Sequence, residues 1–308
     1  MNYFDLHCDT IAKCFDGGKS LAHNDLALSL ERTSGYEKWA QLFAVWIDDT
    51  KRGEEAFRYF NDCAEFLQKE LRKNASTALF CRTGAELRAA AQAGRRAALL
   101  SVEGSAALAG KMEHLYDAKR LGVSLITLTW NGRCEAGDGC GVRDAEGLTP
   151  FGKELVRQMQ KLNIVVDVSH LSEKGFWDVA RAAKRPFIAS HSDSKAVFEH
   201  RRNLTDDQFR EIVKGGGLVG INLCGEFLRG DAPRIDDVLF HVDHFLHLGG
   251  EHILAVGSDL DGCVMAAGIR TADEMSRLYD LLEHAFGAEI ADRIFWENAF
   301  RFFSRNLD

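Results

Sequence analysis

In the stretch NIVVDVSH, residues 163–170, a short β-branched run ends in a histidine. The same design recurs in NYFDL before His7, RRAALLSV before Glu103, RPFIAS before His191 and HILAVGS before Asp259. A single His or Asp at a strand end is commonly a cap or a turn residue. Their recurrence indicates a barrel of parallel strands, which brings distant residues together at one rim.

Longer amphipathic stretches separate these runs, a pattern typical of parallel strands joined by crossover helices. The eight candidate strands cover residues 2–6, 41–47, 96–102, 123–129, 164–168, 186–189, 217–222 and 252–257. The candidate helices cover residues 54–73, 85–93, 111–121, 150–162, 174–183, 205–214, 235–248 and 272–286, with another from Glu289. The pattern therefore predicts an α/β fold of the (β/α)8 TIM barrel type.

Loop and cap residues agree with this prediction. Thr149, Ser172 and Thr205 stand where helix N-caps are expected. Two long loops, at residues 16–36 and 131–149, follow the first and fourth candidate strands, on the rim where barrel loops build active sites.

The composition is that of an ordinary globular protein, with 308 residues, 46% hydrophobic and 27% charged. A barrel of roughly 250 residues or more forms one domain, and the chain has only 3 prolines and no Ser/Gly-rich linker. We predict a single barrel domain over residues 1–308. The net charge of -8 and the absence of a basic run argue against nucleic acid as a partner.

The cysteines and the apolar stretches bear on location. None of the 8 cysteines falls in a C-x-x-C pair, so we expect mostly buried, reduced thiols. Cys8, between His7 and Asp9, should point away from them by strand alternation and serve packing. No apolar stretch reaches the ~18 residues of a membrane helix and no secretory leader is recognisable, so a cytoplasmic location without membrane contact is expected.

The residues at the strand ends form a set of ligands for metal ions. His7 and Asp9, two positions apart, could hold one divalent ion, and His170 and His191 a second, with Glu103 bridging both through its two oxygens. This mixed nitrogen and oxygen set suits zinc, with manganese or cobalt also compatible. Two such ions would share a hydroxide and polarise a carbonyl, which predicts metal-assisted hydrolysis.

Other interpretations compete for some of these residues. Asp259 could transfer the proton between the water and the leaving amine, or GSDLDG could be a turn in which Asp261 and Gly262 carry the bend. A triad of Ser190, His170 and Asp259 would need a G-x-S-x-G elbow, which is absent.

Three more histidines, His241, His244 and His247, share a predicted helix at three-residue spacing. No acidic partner is interleaved among them at a suitable spacing, so we interpret them as a solvated or half-buried helical face.

Eight stretches of the chain resemble, in the same order, one known family. They are FDLHCDT, SVEG, GLTPFGKELV, VVDVSH, ASHS, HRRNLTDDQ, GGGLVGINL and VGSDLDG. The family is the membrane (renal) dipeptidase family of binuclear zinc peptidases, among the amidohydrolase-like barrels. The resemblance implies a metal-dependent hydrolase barrel with two zinc ions per chain, Asp259 as the proton carrier and Arg202 as the residue that grips the substrate carboxylate.

One position departs from the family pattern. Better-known members have a histidine after the LTLT strand, which helps to hold the substrate, whereas this chain has Trp130 there. A tryptophan can stack on a side chain or donate one N–H, but it cannot be cationic. We expect Trp130 to contact the substrate and to alter the substrate range, with the metal ligands unchanged.

The resemblance implies a zinc-dependent dipeptidase that hydrolyses small dipeptides, including those with a D-configured C-terminal residue. An alternative keeps the metals and takes N-acyl amino acids or other small amides or lactones. A further alternative, a non-catalytic binding barrel, has only Trp130 in its favour. The expected partners are a small dipeptide and, because relatives are commonly dimers, a second copy of the chain.

Overall fold

The computed structural model describes residues 1–308. Nine strands form one parallel sheet. They are β1 (Asn2–Cys8), β2 (Lys38–Trp46), β3 (Ala78–Phe80), β4 (Arg96–Glu103), β5 (Val123–Thr127), β6 (Val165–Asp167), β7 (Ile188–Ala189), β8 (Leu218–Ile221) and β9 (Leu254–Val256).

Eight of these strands close into a barrel, because β2 pairs with β4 along its whole length and β9 pairs with β1 through Asp5 and Val256. The eight predicted strands are thereby confirmed. β3, which the sequence analysis missed, lies outside the closed ring and pairs only with the first residues of β4. Three residues are too few to show a periodic pattern.

Twelve α-helices accompany the strands. They are α1 (Thr10–Gly17), α2 (Gly53–Lys73), α3 (Gly84–Gln92), α4 (Met112–Leu121), α5 (Pro150–Lys161), α6 (Glu173–Ala182), α7 (Asp206–Gly215), α8 (Gly225–Leu228), α9 (Val238–His247), α10 (Ser276–Phe286), α11 (Ala288–Asp292) and α12 (Asn298–Asn306). A π-helical turn, Arg293–Glu297, joins α11 to α12. The short helices α1 and α8 were not predicted, and α1 occupies the start of the predicted loop at residues 16–36.

The helix caps match their predicted positions. The hydroxyls of Thr149, Ser172 and Thr205 each accept a hydrogen bond from a backbone N–H in the first turn of their helix. Gly122 ends α4 with a φ of 92°, and a Cβ there would lie 2.9 Å from the Phe80 ring, so both the backbone and the packing require glycine. None of the helices combines the length and apolar character needed to cross a bilayer.

A buried cluster of side chains closes one end of the barrel. This cluster takes side chains from every barrel strand, including Phe4, Leu42 and Leu99. Most of its remaining members come from α3 and α12, and Phe303 of α12 stacks on Phe4 with ring centroids 5.5 Å apart. These helices therefore close the N-terminal end of the strands, which leaves the C-terminal end for the site.

Candidate metal centre

The six side chains that the sequence placed at strand ends meet at the C-terminal rim of the barrel. Each is at most 7% exposed. Two lie on strands, in β1 and β4, and three follow β6, β7 and β9 by two or three residues, while one immediately precedes α1. They are His7, Asp9, Glu103, His170, His191 and Asp259.

Glu103 lies between two groups of these side chains. Its Oε2 is 3.4 Å from Nε2 of His7, and its Oε1 is 2.8 Å from Nε2 of His170 and 3.7 Å from Nε2 of His191. The two carboxylate oxygens therefore face opposite sides of the site, as a carboxylate that bridges two ions must do.

On one side, His7 is surrounded by carboxylates. Its Nε2 is 3.9 Å from Oδ2 of Asp9 and 3.9 Å from Oδ1 of Asp259. The register of β1 against β2 shifts between Asp5 and Cys8, so regular strand alternation alone does not explain the approach of His7 and Asp9. Cys8 is fully buried with its Sγ 3.6 Å from a backbone oxygen of β2, which agrees with a packing role.

On the other side, two imidazoles face each other. Nε2 of His170 and Nε2 of His191 are 3.0 Å apart, and the His7 ring stacks on the His191 ring at 3.9 Å between centroids. Two sets of three potential ligand atoms result: His7, Glu103 and His191, and His7, Asp9 and Asp259. The second set places Asp259 among the potential ligand atoms, and Asp259 also lines the cavity described below.

Two of the six residues have left-handed backbones, His170 with a φ of 65° and Asp259 with a φ of 63°. Non-glycine residues seldom adopt this conformation, and where they do the surrounding structure must compensate for the strain. The turns after β6 and β9 are thus shaped to aim these side chains into the site.

Burial and charge shift the pKa values of several groups in the site. Burial raises the pKa of Glu103 to about 7, against the attraction of His7, and burial also raises the pKa of Asp259. Burial lowers the pKa of His170 and His191 well below 6.5. Burial alone would lower the pKa of His7 too, but Glu103 and Asp9 outweigh it and raise that pKa well above 6.5. The paired imidazoles are therefore neutral, the form that can ligate a metal.

Unsatisfied atoms also favour a cation here. Neither ring nitrogen of His7 and not Oδ1 of Asp9 has a hydrogen-bond partner, although all are buried. A buried polar atom without a partner costs about 1–3 kcal/mol. A divalent cation would give Nε2 of His7, the nitrogen that faces Asp9, Glu103 and Asp259, a partner and would neutralise these clustered carboxylates, so the residues present fit a metal centre.

A cavity of about 570 Å³ opens onto the site and is lined by Asp9, Glu103, His170 and Asp259. Its apolar walls come from two directions. The first wall is Trp46 and Trp130, whose rings meet edge to face at 5.0 Å; the second contains Cys224, Phe227, Cys263, Val264 and Met265. The cavity is of a size suited to a small molecule with apolar side chains.

The two predicted substrate-binding residues differ in position. Trp130 lies in the wall of the cavity. Arg202 is not in the wall: it is 5% exposed, its Nη2 donates to the backbone oxygen of His191 at 3.1 Å, and its guanidinium lies 5.3 Å from the centre of the Phe227 ring. Its Nε has no partner.

Four further residues hold the site together, in supporting roles that the sequence pattern did not predict. Asn222 donates to Oδ2 of Asp259 at 3.2 Å, and Oδ1 of Asn131 is 3.0 Å from Nδ1 of His170. Ser190 and Asp167 support His191. The signal was present for Asn222, which directly follows β8 as the other site residues follow their strands, and for Asp167, a carboxylate within an apolar run.

Two competing interpretations are resolved. Ser190 is fully buried and its hydroxyl bonds Asp167, so it cannot act as an exposed nucleophile. The predicted half-buried face of histidines on α9 is wrong for His241, which is completely buried between a backbone N–H and a backbone oxygen. His244 is half-buried beside Asp206, and the three rings do not form a metal site.

Comparison with known proteins identifies the family of this chain. Residues 1–306 match the family model described as membrane dipeptidase, peptidase family M19. A metallo peptidase from Rhodobacter sphaeroides, solved with a phosphinate mimic of the dipeptide L-Ala-D-Ala, is 28% identical, with a TM-score of 0.93 and 99% of each chain covered.

Two curated relatives match part of the chain. An uncharacterized protein in the pqqA 5' region of Klebsiella pneumoniae is 34% identical over 65% of this chain and 78% of its own length. An uncharacterized dipeptidase, C965.12, of Schizosaccharomyces pombe is 32% identical over 61% of this chain, a match that spans 47% of the yeast protein. With the family match over nearly its whole length, the chain belongs to the membrane dipeptidase family, peptidase family M19, and is a metallo-dipeptidase.

Proposed function

We propose that this chain, as one catalytic domain over residues 1–308, hydrolyses small dipeptides with the help of two zinc ions. The observation that carries the proposal is the position of Glu103, whose two oxygens face His7 on one side and His170 on the other. A single carboxylate placed in this way is suited to couple two ions.

The residues divide between the two ions. His7 and Asp9 would hold one, His170 and His191 the other, and Glu103 both. Zinc accepts this mixture of imidazole and carboxylate ligands, as do manganese and cobalt. When bound, paired ions make water a nucleophile near neutral pH and polarise the carbonyl of the scissile bond.

Asp259 would carry the proton from the attacking water to the leaving amine. Its Oδ2 accepts a hydrogen bond from Asn222 at 3.2 Å, which leaves Oδ1 free to face the site. Burial raises its pKa, which brings the carboxyl nearer to the pH at which a group both accepts and returns a proton.

The substrate would lie in the cavity against Trp130. Arg202 would bind the substrate carboxylate through its guanidinium, whose Nε has no partner and which lies beside the Phe227 ring. This contact would form once a movement of Phe227 or of the substrate brings the guanidinium and the carboxylate together. The dipeptide mimic bound by the Rhodobacter sphaeroides neighbour supports a substrate of this size with a D-configured C-terminal residue.

A substrate panel tests the proposal. The zinc-loaded protein should hydrolyse L,L and L,D dipeptides, with turnover lost after chelation and restored by zinc. A preference for an N-acylated substrate without a free amine would favour the alternative activity on N-acyl amino acids or other small amides. No turnover of any dipeptide above the metal-free control would refute the proposal.

A further inference from the structure

Asp167 lies beneath the site as a fully buried carboxylate with four donors. Its Oδ1 accepts from the backbone N–H groups of Ser169 and Ser190, at 3.0 and 2.9 Å. Its Oδ2 accepts from the hydroxyls of Thr127 and Ser190, both at 2.6 Å. A carboxylate with this many short donors is an acceptor only.

The hydroxyl of Ser190 has one proton to donate. Two oxygens could accept it, Oδ2 of Asp167 at 2.6 Å and Oγ of Ser169 at 3.4 Å. The hydroxyl donates to Oδ2 of Asp167, because this carboxylate oxygen is the closer and the stronger acceptor. Nδ1 of His191 lies 2.7 Å from the same hydroxyl oxygen, whose proton is already used, so Nδ1 must be the donor.

With its proton on Nδ1, His191 has a free electron pair on Nε2. That atom faces Nε2 of His170 at 3.0 Å and Oε1 of Glu103 at 3.7 Å. We propose that Ser190 and Asp167 are positioning residues that fix this tautomer of His191 and so prepare its Nε2 as a metal ligand. The inference deepens the proposed function and rests on its metal centre.

The other imidazole of the pair is held in the same way, and a distant histidine is not. Nδ1 of His170 is 3.0 Å from Oδ1 of Asn131, an atom that also accepts from the thiol of Cys140 at 3.4 Å. In contrast, Nδ1 of His241 accepts from the backbone N–H of Ser194 at 3.1 Å. The fold therefore contains histidines with the proton on Nδ1 and a histidine with the proton on Nε2. The neighbours of each ring, and not a general preference, determine its tautomer.

An isosteric substitution reverses the hydrogen-bond direction. In Asp167→Asn, the amide oxygen would stay with the two backbone N–H groups, and the NH2 group would donate to the Ser190 hydroxyl. That hydroxyl would then donate to Nδ1 of His191 and move the ring proton to Nε2. The change in volume is small, so a role in packing alone predicts little effect.

A second buried carboxylate provides the matched control. Asp5 accepts from the phenol of Tyr3, the backbone N–H of His7, and the backbone and hydroxyl of Ser258. These are the same kinds of donor, but the Ser258 hydroxyl lies 3.4 Å from a backbone oxygen and contacts no imidazole nitrogen. Asp5→Asn therefore makes the same substitution in a similar set of donors without affecting the tautomer of an imidazole.

Zinc affinity and nitrogen chemical shifts test the inference. Asp167→Asn should weaken zinc binding about ten- to a hundredfold, the usual effect of losing an outer partner of a metal ligand. Asp5→Asn should weaken it clearly less. In metal-free protein with ¹⁵N-labelled histidine, Nε2 of His191, identified by its absence in His191→Gln, should be unprotonated, and it should be protonated in Asp167→Asn.

A protonated Nε2 of His191 in the unchanged protein would overturn the inference, as would equal losses of affinity in the two variants. The spectrum can be read without metal, so it decides the tautomer even if an Asp167 variant fails to fold. Failure of the unchanged protein to bind zinc would refute the proposed metal centre instead, which keeps the two failures distinguishable.

Discussion

The two sides of Glu103 satisfy their imidazoles differently. His7, beside Asp9 and Asp259, has no hydrogen-bond partner on either ring nitrogen. His170 and His191, on the other side, each have an oxygen 3.0 Å or less from Nδ1. The protein therefore orients the paired imidazoles through its own side chains, whereas Nε2 of His7 would gain a partner only from a bound cation. One side of the site is thus held by hydrogen bonds to its imidazoles, and the other side is governed by the charges of its carboxylates.

Replacing Glu103, which lies between the two sides of the site, should have the largest effect on activity. Glu103→Gln removes the charge that both ions would share, and we expect kcat/KM to fall to the level of the metal-free protein. Zinc content, measured by elemental analysis, should fall below two per chain. Glu70→Gln is the control, because this buried glutamate on α2 bonds Ser20, Leu21 and Lys73 and none of the six site residues, and it should keep both zinc and activity. An active Glu103→Gln enzyme would contradict the bridging role.

Replacing Asp259, which lies beside His7, should lower the rate of catalysis more than the affinity for metal. Asp259→Asn keeps a residue that tolerates the left-handed backbone and should lower kcat about 10²- to 10⁴-fold, because a proton carrier is lost. Asp261→Asn is matched, with a φ of 67° and contacts to Thr10 and Ala27. Similar losses of kcat in both variants would show that the turn, and not the carboxylate, matters.

Next in size is the loss of Arg202, beside the paired imidazoles. Arg202→Met should raise KM for a dipeptide about 10- to 100-fold, the effect of losing a charge-assisted hydrogen bond to the substrate carboxylate. Arg201→Met changes the exposed neighbour and should leave KM unchanged. If instead kcat fell at constant KM, the contact of Arg202 with the His191 backbone would be its main role.

The pKa shifts of the two sides predict opposite effects of pH on the stability of the metal-free protein. The pKa values of Glu103 and His7 are raised in the fold, so the proton that each retains stabilises the folded state, and this is lost as pH rises through the folded pKa, about 7 for Glu103. The pKa values of His170 and His191 are lowered, so stability rises with pH only up to 6.5.

Above pH 6.5 the stabilising trend from His170 and His191 has ended, while the destabilising trend from Glu103 and His7 continues. We therefore expect the unfolding free energy of metal-free protein to fall, on the order of 1 kcal/mol, between about pH 6.5 and 8. Thermal unfolding across this range measures it. Zinc should reverse the trend, because its ligands must lose their protons to bind. A metal-free protein that gains stability over this range would show that the His7 side is not charged as described.

The parts of the fold and the site that follow from regular strand patterns could be predicted from the sequence. The convergence of Glu103 and His170 followed from the strand ends alone, because a closed parallel barrel fixes where such ends meet. β3 could not be predicted, since its three residues gain their strand character from pairing with β4. The approach of His7 and Asp9 was predicted from regular strand alternation, but the register of β1 is irregular between Asp5 and Cys8, so alternation alone does not explain it.

The supporting residues were hidden for a different reason. Asn222 and Asn131 are neutral amides, whose role appears only when their partners Asp259 and His170 are placed beside them. Asp167 could have been noticed, because a carboxylate inside an apolar strand needs several donors to be buried. The potential metal ligands can be recognised in the sequence by their residue type. The residues that orient them can be recognised only from their contacts in the structure.

Anomalous diffraction at the zinc edge from crystals of the zinc-loaded protein tests the central claim most directly. We predict two peaks about 3.5–4 Å apart, one beside His7 and Asp9 and one beside His170 and His191, with one oxygen of Glu103 bound to each. A single peak, or two peaks with Glu103 bound to only one of them, would contradict the account.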